Sequence, residues 1–125
     1  MFNGDYKNLE TWQLSVQLVK KIYKTTKHFP REELFSLCDQ IKRSAISIPS
    51  NIAEGYGRDS IKDLIHFLHI SLGSLYELET QIFISYEVEL ISKTEFESLQ
   101  ETIELLKKLL NNLIIFHKKR NNKIR

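Results

Sequence analysis

The sequence predicts an all-α fold, an antiparallel up-down-up-down four-helix bundle. Apolar residues recur at steps of three and four through most of the 125-residue chain. Only two prolines and four glycines interrupt that pattern. The periodic segments are separated by short breaks at Phe29-Pro30, Gly55-Tyr56-Gly57 and Ser92, and four helices of about 20–28 residues joined by short loops build such a bundle. The length fits one domain, residues 1–125. A chain of this size can bury a core without disulfides or metal.

Residues 1–8 read as an irregular lead with a turn at Asn3-Gly4. The first helix is expected from about Leu9 to His28. Leu9, Trp12, Val16, Val19 and Tyr23 form its stripe, and Leu18 and Ile22 widen it. Lys20, Lys21, Lys24 and Lys27 gather near its C-terminal end, where the helix dipole favours cations. Pro30 ends it, because the residue before a proline is pushed out of the α region.

The second helix is expected from about Arg31, with Glu32 and Glu33 in its first turn. Its apolar face is Leu34, Leu37, Cys38, Ile41, Ala45, Ile48 and Ile52. That period passes through Pro49 without resetting, which predicts a helix kinked at Pro49 and continuing to about Tyr56. The competing reading is a break, with Ser47 or Ser50 as a new N-cap. Gly55 and Gly57 are expected to stop the helix.

Asp59 or Ser60 caps the third helix. Ile61, Leu64, Ile65, Leu68, Leu72, Leu75, Leu78, Ile82 and Tyr86 form its stripe, with Phe67, Ile70 and Phe83 lying off it. Gly73 in mid-helix is expected to mark a close helix approach. Ser92-Lys93-Thr94-Glu95 reads as a capping box opening the fourth helix. Phe96, Leu99, Ile103, Leu106, Leu110, Leu113 and Ile114 carry its core, and Leu105, Leu109, Ile115 and Phe116 overflow it. Apolar surface beyond one stripe predicts a homo-oligomer.

The composition narrows the function classes. Cys38 is the single cysteine, so no disulfide forms within the chain, and its apolar neighbours predict a core position. The polar start Met1-Phe2-Asn3-Gly4-Asp5 carries no signal-peptide pattern, and no apolar run reaches the ~18 residues of a membrane span. A cytoplasmic protein without membrane association is expected. The net charge is +2 but unevenly spread. Residues 63–106 hold nine acidic groups and one basic, whereas residues 107–125 hold seven basic and none acidic.

The candidate site residues form polar lines, the one on the second helix opposite its apolar line. Arg43, Ser47, Asn51, Glu54 and Arg58 recur every three or four positions on the second helix, and Ser74, Glu77 and Gln81 on the third. An antiparallel hairpin turning near Gly57-Arg58 sets Arg43 level with Gly73, Ser74 and Glu77, which suggests an Arg43–Glu77 ion pair. A structural network, within or between subunits, is the expected role. No catalytic, cofactor-binding or metal site and no small-molecule substrate is expected. Asp63-Leu64-Ile65-His66 has no second acid-x-x-His partner of the kind di-iron bundles use, although His69 lies a turn further on. Gly55-Tyr56-Gly57 lacks the Lys-Ser/Thr ending of a phosphate loop. The basic tail 117–125, with Lys118, Lys119, Arg120, Lys123 and Arg125, offers groups that can neutralise phosphates of RNA or DNA. In an antiparallel bundle it lies at the pole of the turn between helices two and three.

Arg43, Ser47-Ile48-Pro49, Asn51-Ile52-Ala53-Glu54-Gly55 and Gly57-Arg58, followed by Gly73-Ser74-Leu75-Tyr76-Glu77-Leu78-Glu79-Thr80-Gln81, resemble the motifs of the four-helix bundle proteins. These are also called 23S rRNA intervening-sequence proteins or S23-type ribosomal proteins. The resemblance covers about residues 6–118. It implies a bundle that assembles as a homopentamer, encoded within insertions of bacterial large-subunit rRNA genes or standing alone. A related branch is formed by the accessory variability proteins of diversity-generating retroelements. Those resemble basic pentameric barrels that bind nucleic acid and a reverse transcriptase, and this chain departs from them in its weak net charge. The resemblance brings no catalytic residues. The resulting expectation is a non-enzymatic oligomeric scaffold or adaptor associated with RNA. The alternative is a nucleic-acid-binding accessory factor of the retroelement kind.

Overall fold

Four helices form where the periodic segments lie: α1 Glu10–Thr26, α2 Leu37–Tyr56, α3 Ile61–Glu87 and α4 Lys93–Ile124. They come from a computed structural model that describes residues 5–124. The Asn3-Gly4 turn and Arg125 therefore lie outside the described residues. α1 packs on α2 and α4, and α3 packs on the same two, so the helices close a ring in sequence order. No strand occurs among the described residues. The axis of the ring is filled by Leu18 and Ile22 of α1, Ile41, Ile48 and Ile52 of α2, Leu68, Leu75 and Ile82 of α3, and Ile103, Leu106 and Leu110 of α4.

Local chemistry sets the helix ends. Asp5 accepts a 3.0 Å hydrogen bond from the Lys7 amide and opens a short 3-10 turn, Tyr6–Asn8, in the otherwise irregular lead. Ser60 caps α3 through the Asp63 amide at 3.1 Å. Ser92 and Glu95 form the expected reciprocal box, the Ser92 amide donating to Glu95 at 2.9 Å and the Glu95 amide to Ser92 at 3.1 Å. The turn between α3 and α4 closes by bonds from Leu90 to Ser85 and from Glu89 to Tyr86, with Glu89 in the left-handed region at φ 65. That is the Schellman arrangement, here without the usual glycine.

Three expectations need correction. First, α2 does not start at Arg31. Arg31–Glu33 make a 3-10 turn, and Ser36, at φ −125 and ψ −100, leaves the helical basin before Leu37 begins the helix. Leu34 is therefore outside the core stripe and exposed, as is Phe35. Second, α1 is turned about its axis relative to its apolar pattern. Its buried line is Thr11, Ser15, Leu18, Ile22 and Thr25-Thr26, while Tyr23 is exposed. Small hydroxyl residues can be buried because they return their hydrogen bonds to the local backbone. Ser15 Oγ donates to the Trp12 carbonyl at 2.7 Å and Thr26 Oγ1 to the Ile22 carbonyl at 2.8 Å. Third, the close-approach glycine is Gly55, not Gly73. A Cβ on Gly55 would stand 3.0 Å from Leu64 Cδ1 and Phe67 Cβ and 3.2 Å from the Leu64 carbonyl oxygen. Gly55 thus lies buried inside α2 against α3, and only Gly57 ends the helix. A Cβ on Gly73 would meet nothing within 4 Å.

α2 runs through Pro49 as one helix, which excludes the break with a new N-cap. Proline offers no N–H to the Ala45 carbonyl, and the carbonyls just before it carry extra bonds. Asn51 Nδ2 donates to the Ser47 carbonyl at 2.8 Å, and Ser71 Oγ of α3 donates to the Ile48 carbonyl at 2.9 Å.

The two glycines should respond oppositely to alanine. Gly55→Ala should lower the unfolding free energy by about 1–2 kcal/mol through overpacking. Gly73→Ala should raise it by about 0.5–1 kcal/mol through helix propensity alone. Urea denaturation followed by circular dichroism measures both, and equal shifts of one sign would refute the assignment.

Candidate functional site

The polar lines of α2 and α3 meet in a seam. Its rungs are Ser44–Glu77, Ser47–Ser74 and the Ser71 bond to Ile48, with positions rising on one helix as they fall on the other. Ser44 Oγ donates to Glu77 Oε1 at 2.8 Å, and the Ser47 and Ser74 hydroxyls are 2.8 Å apart. Asn51 Nδ2 also donates to Ser47 Oγ at 2.9 Å. Level and direction thus match the sequence reading, but the rotation is off by one residue. Ser44, not Arg43, faces Glu77. Arg43 instead donates from Nε to Asp39 Oδ2 at 3.0 Å on the exposed side of α2. Glu54 and Arg58 pair with each other at 2.9 Å, both about half exposed. These outer ion pairs contribute little stability.

At the upper end of the seam lies a shallow hollow of about 200 Å³ lined by Gln40, Arg43, Ser44, Glu77 and Gln81. Gln81 is 8% exposed, and its side-chain oxygen is buried without a partner among the described residues. The hollow combines a guanidinium, a carboxylate and two amides, so its chemistry is hydrogen bonding. No group of three or more His, Cys, Asp or Glu side chains is placed to hold a metal among the described residues. Within the Asp63–His66 spacing, His66 is exposed and lies edge-on to Phe67.

A second cluster joins the turn between α2 and α3 to the end of α4. Periodicity carries α4 past Ile114 to His117, which is a core residue and not part of a solvated tail. It is 2% exposed, and its Nε2 lies 2.9 Å from Tyr56 Oη. Its Nδ1 is buried without a partner among the described residues. Burial, aided by the Arg120 charge, pushes the His117 pKa down to about 4. Burial pushes the Tyr56 hydroxyl up to about 12, against the pull of Arg120. Arg58, Ser60 and Arg120 border one small hollow beside Tyr56. Lys118, Lys119 and Lys123 are exposed on the same last turns of α4, which places the basic tail at the expected pole. Arg125 lies outside the described residues.

Sequence reading missed Ser44, Ser71 and the network between α3 and α4. There Lys107 bonds Glu79 at 2.8 Å and Glu104 at 2.9 Å and stands 5.0 Å from the Tyr76 ring. Burial opposes the Lys107 charge, but the hydrogen bonds it donates to Glu79 and Glu104 outweigh that and leave its pKa raised. The i, i+3 and i, i+4 spacing of Gln100, Glu104 and Lys107 was the available signal.

Comparisons with known proteins agree with this architecture. The family model described as 23S rRNA-intervening sequence protein matches residues 7–112. The chain is also similar to a crystal structure of a protein of unknown function from the S23 ribosomal protein family of Bacteroides thetaiotaomicron. That pair is 28% identical with a TM-score of 0.77, covering 83% of this chain and 94% of the other. No curated protein matches the chain.

The seam and the buried histidine can each be tested by stability measurements. In double-mutant cycles, Ser44→Ala and Glu77→Gln should show a coupling of about 1 kcal/mol, whereas Arg43→Ala and Glu77→Gln should be additive. Coupling confined to the Arg43 pair would reverse the seam. His117 has a folded pKa of about 4 against an ordinary 6.5, so the unfolded chain binds the proton first. Its contribution is complete above pH 6.5 and is lost as pH falls towards about 4, reaching about 3 kcal/mol. Urea midpoints should therefore fall less over that window in His117→Gln than in the wild type.

Proposed function

Because the chain belongs to the 23S rRNA-intervening sequence protein family, we propose that it is a non-enzymatic bundle that self-associates and serves as a scaffold or adaptor for RNA. A homopentamer in the cytoplasm is the form this reading takes. The observation that carries it is apolar surface left over once the core is filled. Phe83 and Ile84 of α3, Val88 just after it, and Leu105, Ile115 and Phe116 of α4 are all exposed, and such surface is ordinarily covered by a partner. The seam supports a non-enzymatic role, because its hydroxyls and Glu77 are spent on joining α2 to α3, and Asn51 is spent on Ser47 within α2. Among the described residues no helix is long and apolar enough to cross a membrane.

A second reading, a nucleic-acid-binding accessory factor, is favoured by the pole where Arg58 and Arg120 share a hollow beside Lys118, Lys119 and Lys123. Phosphate contacts there would be local, since residues 63–106 are acidic.

Multi-angle light scattering tests the first reading, with five chains per particle expected and a monodisperse monomer overturning it. Electrophoretic mobility shifts with single-stranded RNA and duplex DNA across a salt series test the pole. Binding should weaken steeply with salt. Replacing Lys118, Lys119 and Lys123 by alanine should lower the slope by roughly one for each phosphate-binding lysine removed. An unchanged slope would remove the pole from the interface, and no binding at low salt would remove nucleic acid altogether.

A further inference from the structure

The hollow at the upper end of the α2–α3 seam, about 200 Å³, has a buried floor and an exposed polar rim. Gln81 and Ser44 form the floor. Gln81 is 8% exposed, and its amide makes no hydrogen bond among the described residues. A buried amide left unpaired is costly and rare, which marks a group kept for a ligand. The last torsion of a glutamine is soft, so either end of the amide can turn to the hollow. Glu77 stands at the rim. Its carboxylate takes one bond, from Ser44 at 2.8 Å, and forms no ion pair among the described residues. Arg43 spends Nε on Asp39, which offsets its charge and leaves both Nη groups open. Gln40 completes the rim.

We infer that this hollow binds the Watson–Crick edge of a guanine base. The set of donors and acceptors selects it. A simple cation would pair with Glu77 but face the N–H groups of Arg43 and Gln81. An anion would face the Glu77 carboxylate, which no cation neutralises. The set calls for a neutral edge with two adjacent N–H donors beside a carbonyl. Guanine offers N1–H and the N2 amino group to the two oxygens of Glu77, and O6 to Gln81 or Arg43. A carboxylate accepts such paired donors in bidentate fashion, and the bond from Ser44 leaves it lone pairs to do so. Adenine and cytosine carry a ring acceptor beside the amino group, which would meet a carboxylate oxygen, and uracil has one N–H between two carbonyls. The Arg43 guanidinium at the rim also provides a plane on which a base can stack. Unpaired bases of single-stranded RNA are read on this edge, and that source rests on the RNA association proposed above. A free guanine nucleotide presents the same edge and is the other source.

Fluorescence anisotropy at fixed salt compares a short labelled oligouridine with the same strand carrying one central guanosine. Isothermal titration calorimetry compares GMP with AMP in the absence of RNA. The guanosine strand should bind about tenfold more tightly, the worth of one good base-edge pair, and GMP should bind more tightly than AMP. Glu77→Gln should bring both ratios towards one, as should Arg43→Ala, which removes no bond of the seam. Gln81→Leu should do the same while leaving the urea midpoint equal or higher, because it removes an unpaired buried amide. Circular dichroism checks that helicity is kept, and if Glu77→Gln loses it the other two variants carry the test. RNA binding without a guanosine preference, together with equal binding of GMP and AMP, overturns the inference and leaves RNA association standing. A preference that the variants retain places recognition elsewhere and overturns it too. No RNA binding, with a GMP preference that the variants abolish, sinks the RNA reading and supports the hollow as a site for free guanine nucleotide. Binding of neither RNA nor GMP overturns both.

Discussion

Around Gly55 the backbones of α2 and α3 come so close that a single added carbon would touch Phe67 and the Leu64 carbonyl. Along the rest of that contact, serine hydroxyls occupy positions that a bundle ordinarily gives to leucine or isoleucine. Ser44, Ser47, Ser71 and Ser74 are small enough to keep the helices near each other, and each has a partner across the seam. Close approach and hydroxyl pairing support one another. Longer apolar side chains would separate the helices, and wider spacing would strand the buried hydroxyls of Ser44 and Ser71, where an unmade hydrogen bond is costly. The register of the α2–α3 hairpin, and through it the position of the other two helices, follows from this seam.

Pro49 is tolerated inside the same contact. Its missing N–H and its ring would weaken an isolated helix by about 3 kcal/mol. Here Ile48 and Ile52 flank it in the core, and the carbonyls of Ser47 and Ile48 take bonds from Asn51 and Ser71. Tertiary packing therefore supports the helix where local propensity does not. Among the described residues, the buried side-chain atoms without a partner are His117 Nδ1 near one pole and Gln81 Oε1 towards the other, and Glu89 adopts the left-handed region in the α3–α4 turn.

Charge is divided along the chain: residues 63–106 hold nine acidic groups and one basic, whereas residues 107–125 hold seven basic and none acidic. A monomer gains nothing from that division, since charge asymmetry adds little to the stability of a fold. Its physical use lies in association, where complementary potentials speed encounter and exclude wrong orientations.

By itself the sequence determined the four helices, their order, most core positions of α2, α3 and α4, an α3 cap at Asp59 or Ser60, and the Ser92–Glu95 box. These follow from short-range rules, because periodicity and capping act within a turn or two of the chain. It also specified the level at which α2 meets α3, since the turn at Gly57 sets the antiparallel count. What only the tertiary structure decided is how each helix is rotated about its axis. Hydrophobic periodicity cannot see a buried hydroxyl, so α1 read one residue out of phase and Arg43 stood in for Ser44. Likewise His117 counted as part of the tail until its contact with Tyr56 placed it in the core, and Gly55 counted as a stop until Leu64 and Phe67 stood against it. Each of these depends on which atoms of a second helix stand opposite, and no window along one helix contains that information.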